Sequence, residues 1–360
     1  MRRSDPLVRV LPSFMNDTMR GSTRIFSLLA LILFVCLLMW YSARSSRGTV
    51  NNHPTVKVSK LLHSGIALLN AAGEAVVEHR HAKDQDKQVK GMTKEGKKEF
   101  VTLADLKSHV IIKDSMMEHF PGLEIISEEH DPADHDFKPT YFQRQITKDL
   151  LDATVANGDT AYPLSDVVVW IDPLDATQEY TEMLDQYVTI MMCIVVRGEP
   201  LASVLHFPFS KTTYWQWADH RGSNSLNSVL SKRSKLTGDV RRVVVSRSHA
   251  GEVNATLLSI DQHLQVTPAG GAGYKAFQLI QNSADAYVHT TAIKKWDICV
   301  GDAMLRHTGG ELRSLKTGER LRYGDRNDYK VDGGFIAVGK QGSGDELLTS
   351  LQKKLQKRTS

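Results

Sequence analysis

Apolar positions in this chain follow two periods. Leucines and alanines recur at helical spacing over residues 56–79, and the same period predicts helices over 103–119, 273–283 and 297–307. Pro121-Gly122 closes the second of these, and Gly309-Gly310 closes the last. Short runs rich in β-branched and aromatic residues lie between them, at 123–126, 167–171, 187–197, 200–206, 212–217, 242–246 and 286–289. Gly198-Glu199 separates two of these runs and reads as a turn. Strands and helices therefore alternate, which predicts a mixed α/β fold with no internal repeat. Residues 83–98 are polar and contain glycine, so a mobile loop is expected there. The polar stretch 130–165 reads as an insertion with a surface helix over 143–154, and 353–360 reads as a fraying helical tail.

Residues 25–41 are apolar and uncharged. Seventeen helical residues reach about 26 Å, the low end for crossing a bilayer. Arginines 2, 3, 9, 20 and 24 precede the run, and only Arg44 and Arg47 follow closely, which predicts a cytosolic N-terminus and a lumenal C-terminus. The long leader and the lack of a small-x-small site favour an uncleaved anchor over a signal peptide. The expected organisation is a cytosolic tail (1–24), a single-pass anchor (25–41), a stalk (42–54), a lumenal domain (55–352) and the tail (353–360). The lumenal domain is expected to divide into lobes at 55–205 and 206–352. A short span suits the thinner membranes of the early secretory pathway. Asn254-Ala255-Thr256 is a sequon that would face the lumen, making Asn254 a glycosylation candidate; Asn16-Asp17-Thr18 would stay unused on the other side.

A net charge of +4 does not call for a nucleic-acid partner. The local basic clusters at 83–98 and 232–242 read as solvated faces, or as attraction for a polyanionic substrate. Of the three cysteines, Cys36 lies in the apolar run, while Cys193 and Cys299 read as buried thiols. No Cys-x-x-Cys or His-x-x-x-His spacing offers a zinc site.

The candidate chemistry begins at Trp170-Ile171-Asp172-Pro173-Leu174-Asp175-Ala176-Thr177. A buried strand ends there in two carboxylates and a hydroxyl, with Pro173 fixing one backbone dihedral. Such a strand end suits hard divalent cations held beside a phosphate. Asp-Pro is also a turn former, and Thr177 also a helix cap. Glu128-Glu129 follows another strand. Thr102-x-x-Asp105 is a capping box, and Asp297 sits at a helix start where its charge suits the dipole.

These elements, in this order, resemble the motifs of the inositol monophosphatase superfamily: Val101-Thr102-x-x-Asp105, Glu128-Glu129, Asp172-Pro173-Leu174-Asp175-Ala176-Thr177 and Trp296-Asp297-x-Cys299. The resemblance implies an αβαβα sandwich of two lobes and a phosphomonoesterase using two or three Mg2+ ions and inhibited by Li+. It assigns metal ligation to Asp105, Glu128, Asp172, the Leu174 carbonyl, Asp175 and Asp297. Asp105, Glu128 and Thr177 are the implied catalytic residues that act on the attacking water, with Glu129 as electrostatic support.

Ser246-Arg247-Ser248-His249, Gly271-Ala272-Gly273-Tyr274-Lys275 and Lys294-Lys295 resemble the superfamily's 3′-phosphoadenosine 5′-phosphate phosphatases. A bisphosphate leaves one phosphate away from the metals, in need of its own cations or amides. The implied substrate contacts are Asp175, Ala176, Thr177, Ser246, His249, Gly273, Lys275 and Lys294. Combined with the anchor, the resemblance implies a type II protein of the Golgi membrane that converts a small nucleotide to AMP and phosphate. It would thereby clear the by-product of lumenal sulfotransferases and support glycosaminoglycan sulfation. An inositol monophosphatase is the alternative within the class; a membrane-tethered binding protein with an inert site is the alternative outside it. A Ser-His-Asp hydrolase lacks its Gly-x-Ser-x-Gly elbow. The oligomeric state is left open, with a homodimer allowed.

Overall fold

The computed structural model describes residues 31–40, 54–81, 88–92, 96, 98–130, 152, 159–217, 221–233, 239–247 and 252–359. Residues 1–53 and 54–360 form separate units. In the first, a helix over 31–40 is described, with its apolar side chains exposed. Ten helical residues reach about 15 Å. Among the described residues no helix is long and apolar enough to cross a membrane. The remainder of the expected anchor, 25–30 and Tyr41, lies outside them, as does the expected helix over 143–154 apart from residue 152.

The second unit is built around one strand, β6 (Val167–Asp175), all nine residues of which are buried. Val167, Val169 and Ile171 enter one core, and Val168 and Trp170 enter another on the opposite face. A strand packed on both faces has no polar side, hence its unbroken apolar run. It lies within a six-stranded sheet ordered β10-β9-β8-β7-β6-β4. The partners are β4 (Glu124–Ser127), β7 (Thr189–Val196), β8 (Glu199–Phe207), β9 (Thr212–Trp217) and β10 (Arg221–Gly222). Pairing is antiparallel except between β4 and β6, which run parallel. The expected lobe boundary at 205/206 falls inside β8, and the sheet continues to Gly222.

Helices α1 (Val58–Glu78) and α2 (Leu103–His119) cover one face, burying Leu61, Leu62, Leu69, Ile112 and Met116 completely. A short α3 (Thr177–Thr181) follows β6, and α4 (Asn224–Ser231) follows β10. The other face packs on α6 (Ala272–Ile280) and α7 (Lys295–His307). These also cover a five-stranded sheet ordered β12-β11-β13-β17-β15. Its strands are β11 (Arg242–Ser246), β12 (Gln265–Ala269), β13 (Ala286–His289), β15 (Glu311–Ser314) and β17 (Phe335–Val338). Its far face packs on α5 (Val253–Ile260) and α8 (Asp345–Thr359) through Leu257 and Leu351. The layers run helix, sheet, helix, sheet, helix, as the resemblance implied. Helix α8 runs through 353–359, the stretch read as a helical tail, and joins it to the end of the domain without a break.

Three short antiparallel pairs complete the unit: β1 (Thr55–Lys57) with β5 (Ala161–Pro163), β14 (Ile293–Lys294) with β16 (Lys330–Val331), and β2 (Gln88–Met92) with β3 (Lys98–Val101). The last pair corrects the loop expected over 83–98. Val89 and Phe100 are register partners there, and the lysines around them hide the strand signal. A second correction concerns the cysteines. Cys193 on β7 and Cys299 on α7 form a disulfide instead of remaining thiols.

Candidate active site

The parallel pairing of β4 with β6 carries two carboxylates to one place. Ser127 pairs with Ile171, and the Glu128 amide donates to the Ile171 carbonyl at 3.0 Å, which brings Glu128 level with Asp172. Helix α7 starts just beyond, and Asp297 in its first turn accepts from the Lys294 amide at 3.1 Å. Glu128, Asp172 and Asp297 each offer an oxygen within 4.8 Å of the other two. Burial, then repulsion from Glu128, pushes Asp172 and Asp297 well above the usual carboxylate range. Three converging carboxylates are unfavourable until a cation neutralises them. An all-oxygen set without sulfur or imidazole fits a hard divalent ion.

A lysine already answers part of this charge. Lys90 on β2 reaches Glu128 at 2.7 Å and also pairs with Glu129. Burial works against the Lys90 charge, but the two carboxylates outweigh it and hold the ammonium above its ordinary value. Burial and the Glu128 charge push Glu129 up to about 7 despite Lys90.

Beside the cluster, the register of β6 against β7 breaks between Asp172 and Asp175. Pro173 and Leu174 stand there against the single residue Ile190, and the one extra residue bends the chain and re-aims the side chains beyond it. Ser108 of α2 donates to the Pro173 carbonyl at 2.6 Å, and the Leu174 amide donates to Asp172 at 3.2 Å. Ala176 takes a left-handed conformation (φ 71°), which turns the strand into α3. The Thr177 hydroxyl then lies 2.9 Å from Asp105 Oδ1 and 3.2 Å from the Leu174 carbonyl. The second Asp105 oxygen accepts from the Thr102 amide at 2.8 Å and from its hydroxyl, the expected capping box. Asp105 thus caps α2 with one oxygen and faces Thr177 with the other. Burial raises it to about 6, although the Thr102 and Thr177 bonds oppose the shift.

Asp175 is placed differently from the three clustered carboxylates. Its oxygens accept from the Ala272 and Gly273 amides at 3.0 and 2.8 Å and from the Thr189 hydroxyl at 3.0 Å. It therefore receives the N-terminal donors of α6 and ties the end of β6 to that helix. Burial raises its pKa against the pull of Lys275 and these amides.

Of the residues assigned to substrate, Asp175 and Gly273 meet directly through the bond above. Ser246 ends β11 and is buried; His249 lies outside the described residues. Lys275 is buried, donates to the Gly271 carbonyl at 2.5 Å and sits 5.2 Å from the centre of the Tyr287 ring. Burial lowers it to about 8. Lys294 is half-buried, its ammonium 5.0 Å from Tyr329 and 5.5 Å from Trp296, whose rings stack. Its neighbour Lys295 is buried and paired with Asp328 at 2.7 Å. Asn254 is exposed at the start of α5, and the Thr256 hydroxyl of its sequon bonds the Glu252 carbonyl at 2.9 Å.

Two contributors are not evident from sequence. Lys90 is hidden in a polar run that reads as loop. Arg247, directly after β11, pairs with Glu179 at 3.2 Å and Glu182 at 2.6 Å. Its signal is its place between two serines of a motif already singled out.

The description of the inositol monophosphatase family matches residues 57–357. Inositol monophosphatase 3 of Danio rerio is 40% identical over 290 residues, covering 79% of this chain and 81% of that protein. The Golgi-resident adenosine 3′,5′-bisphosphate 3′-phosphatase of Homo sapiens is 37% identical over 291 residues, covering 79% and 77%. Among solved structures, CysQ from Bacteroides thetaiotaomicron, a bacterial member of the family, superposes with a TM-score of 0.55 at 20% identity, covering 79% of this chain and 98% of that one. The acidic cluster, the layering and these likenesses agree: the chain belongs to the inositol monophosphatase family of phosphoric monoester hydrolases.

Proposed function

We propose that the chain is a magnesium-dependent 3′-nucleotidase that converts 3′-phosphoadenosine 5′-phosphate to AMP and phosphate in the Golgi lumen. The observation that carries this reading is the meeting of Glu128, Asp172 and Asp297 beside the Asp105–Thr177 pair. Those three carboxylates, with Asp175, Asp105 and the Leu174 carbonyl, are the residues that would hold two or three ions. Bound magnesium would neutralise phosphate charge and acidify a water. The Thr177 hydroxyl donates to Asp105, which leaves its oxygen free to accept a hydrogen bond from the attacking water; as that water loses its proton to Thr177, the Thr177 proton passes to Asp105. Water attacks phosphorus in line as the 3′-oxygen leaves, and no covalent enzyme intermediate forms.

The second phosphate and the nucleoside fall to Ala176, Ser246, His249, Gly273 and Lys294. Lys275, spent on the Gly271 carbonyl, acts by shaping that loop and by its field. The human relative named for a Golgi bisphosphate substrate supports this choice. The 25–41 anchor is part of the proposal, supported by the exposed apolar helix over 31–40. A buried disulfide suits an oxidising lumen. Exposed Asn254 is the proposed glycan site there, and lumenal sulfotransferases are the proposed source of substrate. Inositol monophosphate hydrolysis is the second reading, favoured by the name of the Danio rerio relative.

Turnover of the two substrates by the purified full-length chain decides between them, under magnesium and lithium titration. The nucleotide is expected to turn over faster, with activity requiring magnesium and falling with lithium. Faster release of phosphate from inositol monophosphate overturns the choice of substrate.

A further inference from the structure

Helix α7 presents Asp297 to the carboxylate cluster, so the height of that helix sets the size of the cage. Two residues past Asp297, Cys299 is buried and bonded to Cys193, with Cα atoms 5.9 Å apart and 106 residues between them in sequence. Cys193 belongs to β7, where it pairs with Trp170 of β6 while Met191 pairs with Asp172. The bond therefore ties the start of the second turn of α7 to the strand alongside the one that carries Asp172.

The other restraints on α7 lie to either side of this point. Before it, the Lys295 amide donates to the Tyr329 carbonyl at 2.8 Å. After it, Asp302 accepts from Arg306 at 3.0 and 2.8 Å and from the Tyr323 hydroxyl at 2.9 Å, and Arg306 reaches Glu199 on β8. Between them the packing of Ile298 and Val300 is apolar. Apolar contact is non-directional and permits a helix to slide. Wherever Glu128, Asp172 and Asp297 are ionised together, as cation ligation requires, their mutual repulsion acts on α7, and an outward shift would relieve it while spoiling the cage.

We propose that the Cys193–Cys299 disulfide positions Asp297, holding α7 close enough to Asp172 for the two carboxylates to share a divalent cation. The inference rests on the metal role proposed above. Cys193 and Cys299 act through Asp297 and touch neither cation nor substrate.

The test uses the full-length chain with magnesium itself as the probe. Peptide mapping without reduction is expected to recover residues 193 and 299 in one cross-linked species. Calorimetric titration of Cys193→Ala/Cys299→Ala is expected to give a magnesium Kd about tenfold above that of the wild type, the scale of outer-shell effects on metal sites. Cys193→Val/Cys299→Ala, which refills the strand side, serves if the alanine pair does not fold. Leu257→Ala is the control. It opens a cavity in the remote core under α5 and is expected to lower Tm without moving the magnesium Kd. Absence of the cross-linked species, or a cysteine variant whose Kd stays within twofold of the wild type, overturns the inference alone. A wild-type chain that takes up no magnesium overturns the metal reading and this inference with it.

Discussion

At the residue scale, Asp105 does two jobs with two oxygens. One caps α2, and the other faces the Thr177 hydroxyl. Thr177→Val keeps the shape and deletes the hydroxyl. Its kcat is expected to fall by about 100-fold or more, the usual range for losing a proton-handling group, while Thr177→Ser retains most activity. Unchanged kcat in the valine variant would remove Thr177 from the chemistry. In the metal-free chain burial holds the Asp105 pKa up at about 6, and a bound cation beside it would lower that value. Protonation removes the ability of Asp105 to receive another proton, so the acid limb of the kcat–pH profile is expected to lie below pH 6 and to move to lower pH as magnesium is raised. A limb that stays in place across the magnesium titration would contradict it.

Among elements, the α6 N-terminus is the most constrained junction. Gly271 has φ +60°, and a Cβ there would lie 2.4 Å from the Tyr187 carbonyl. Gly271→Ala is expected to cost about 1–3 kcal/mol in denaturant titration and to pull the Ala272 and Gly273 amides off Asp175. A variant as stable as the wild type would show that the loop yields to the added methyl group. Elements with a clear period were legible in the sequence. The boundaries of α2, β9, β11 and β13 coincide with the runs that predicted them. The β2–β3 pair was not legible, since its strands are short and carry charged residues, and β2 is largely exposed. The carboxylates of the site were legible as motifs, but their division was not. Nothing local in Asp172-Pro173-Leu174-Asp175 tells that Asp172 joins Glu128 and Asp297 while Asp175 turns to the amides of α6. That division is set by a register break and by a helix almost 100 positions away. The disulfide was illegible for a similar reason: 106 residues separate two cysteines whose surroundings are equally apolar.

For the whole molecule, stripping the cation should couple stability to pH. In the folded chain Asp105 and Glu129 hold protons up to about 6 and 7, and Asp172 and Asp297 are also raised. The unfolded chain releases those protons at ordinary carboxylate values, so the folded state binds more protons through this window. Stability is therefore lost as pH rises through the folded values. With chelator present, Tm is expected to be lower at pH 8 than at pH 6, and saturating magnesium should reduce the difference. A chelated protein that melts at the same temperature at both values would speak against the buried, unneutralised cluster.

The cluster draws on positions 128, 172 and 297, which are far apart along the polypeptide. During translation the first two emerge long before the third, so a partly made chain has only a fragment of its cage and no way to close it. If the cluster holds an ion as proposed, its capture would be among the last events of biosynthesis, and any product that stops short of α7 would leave the ribosome without one of its three clustered carboxylates.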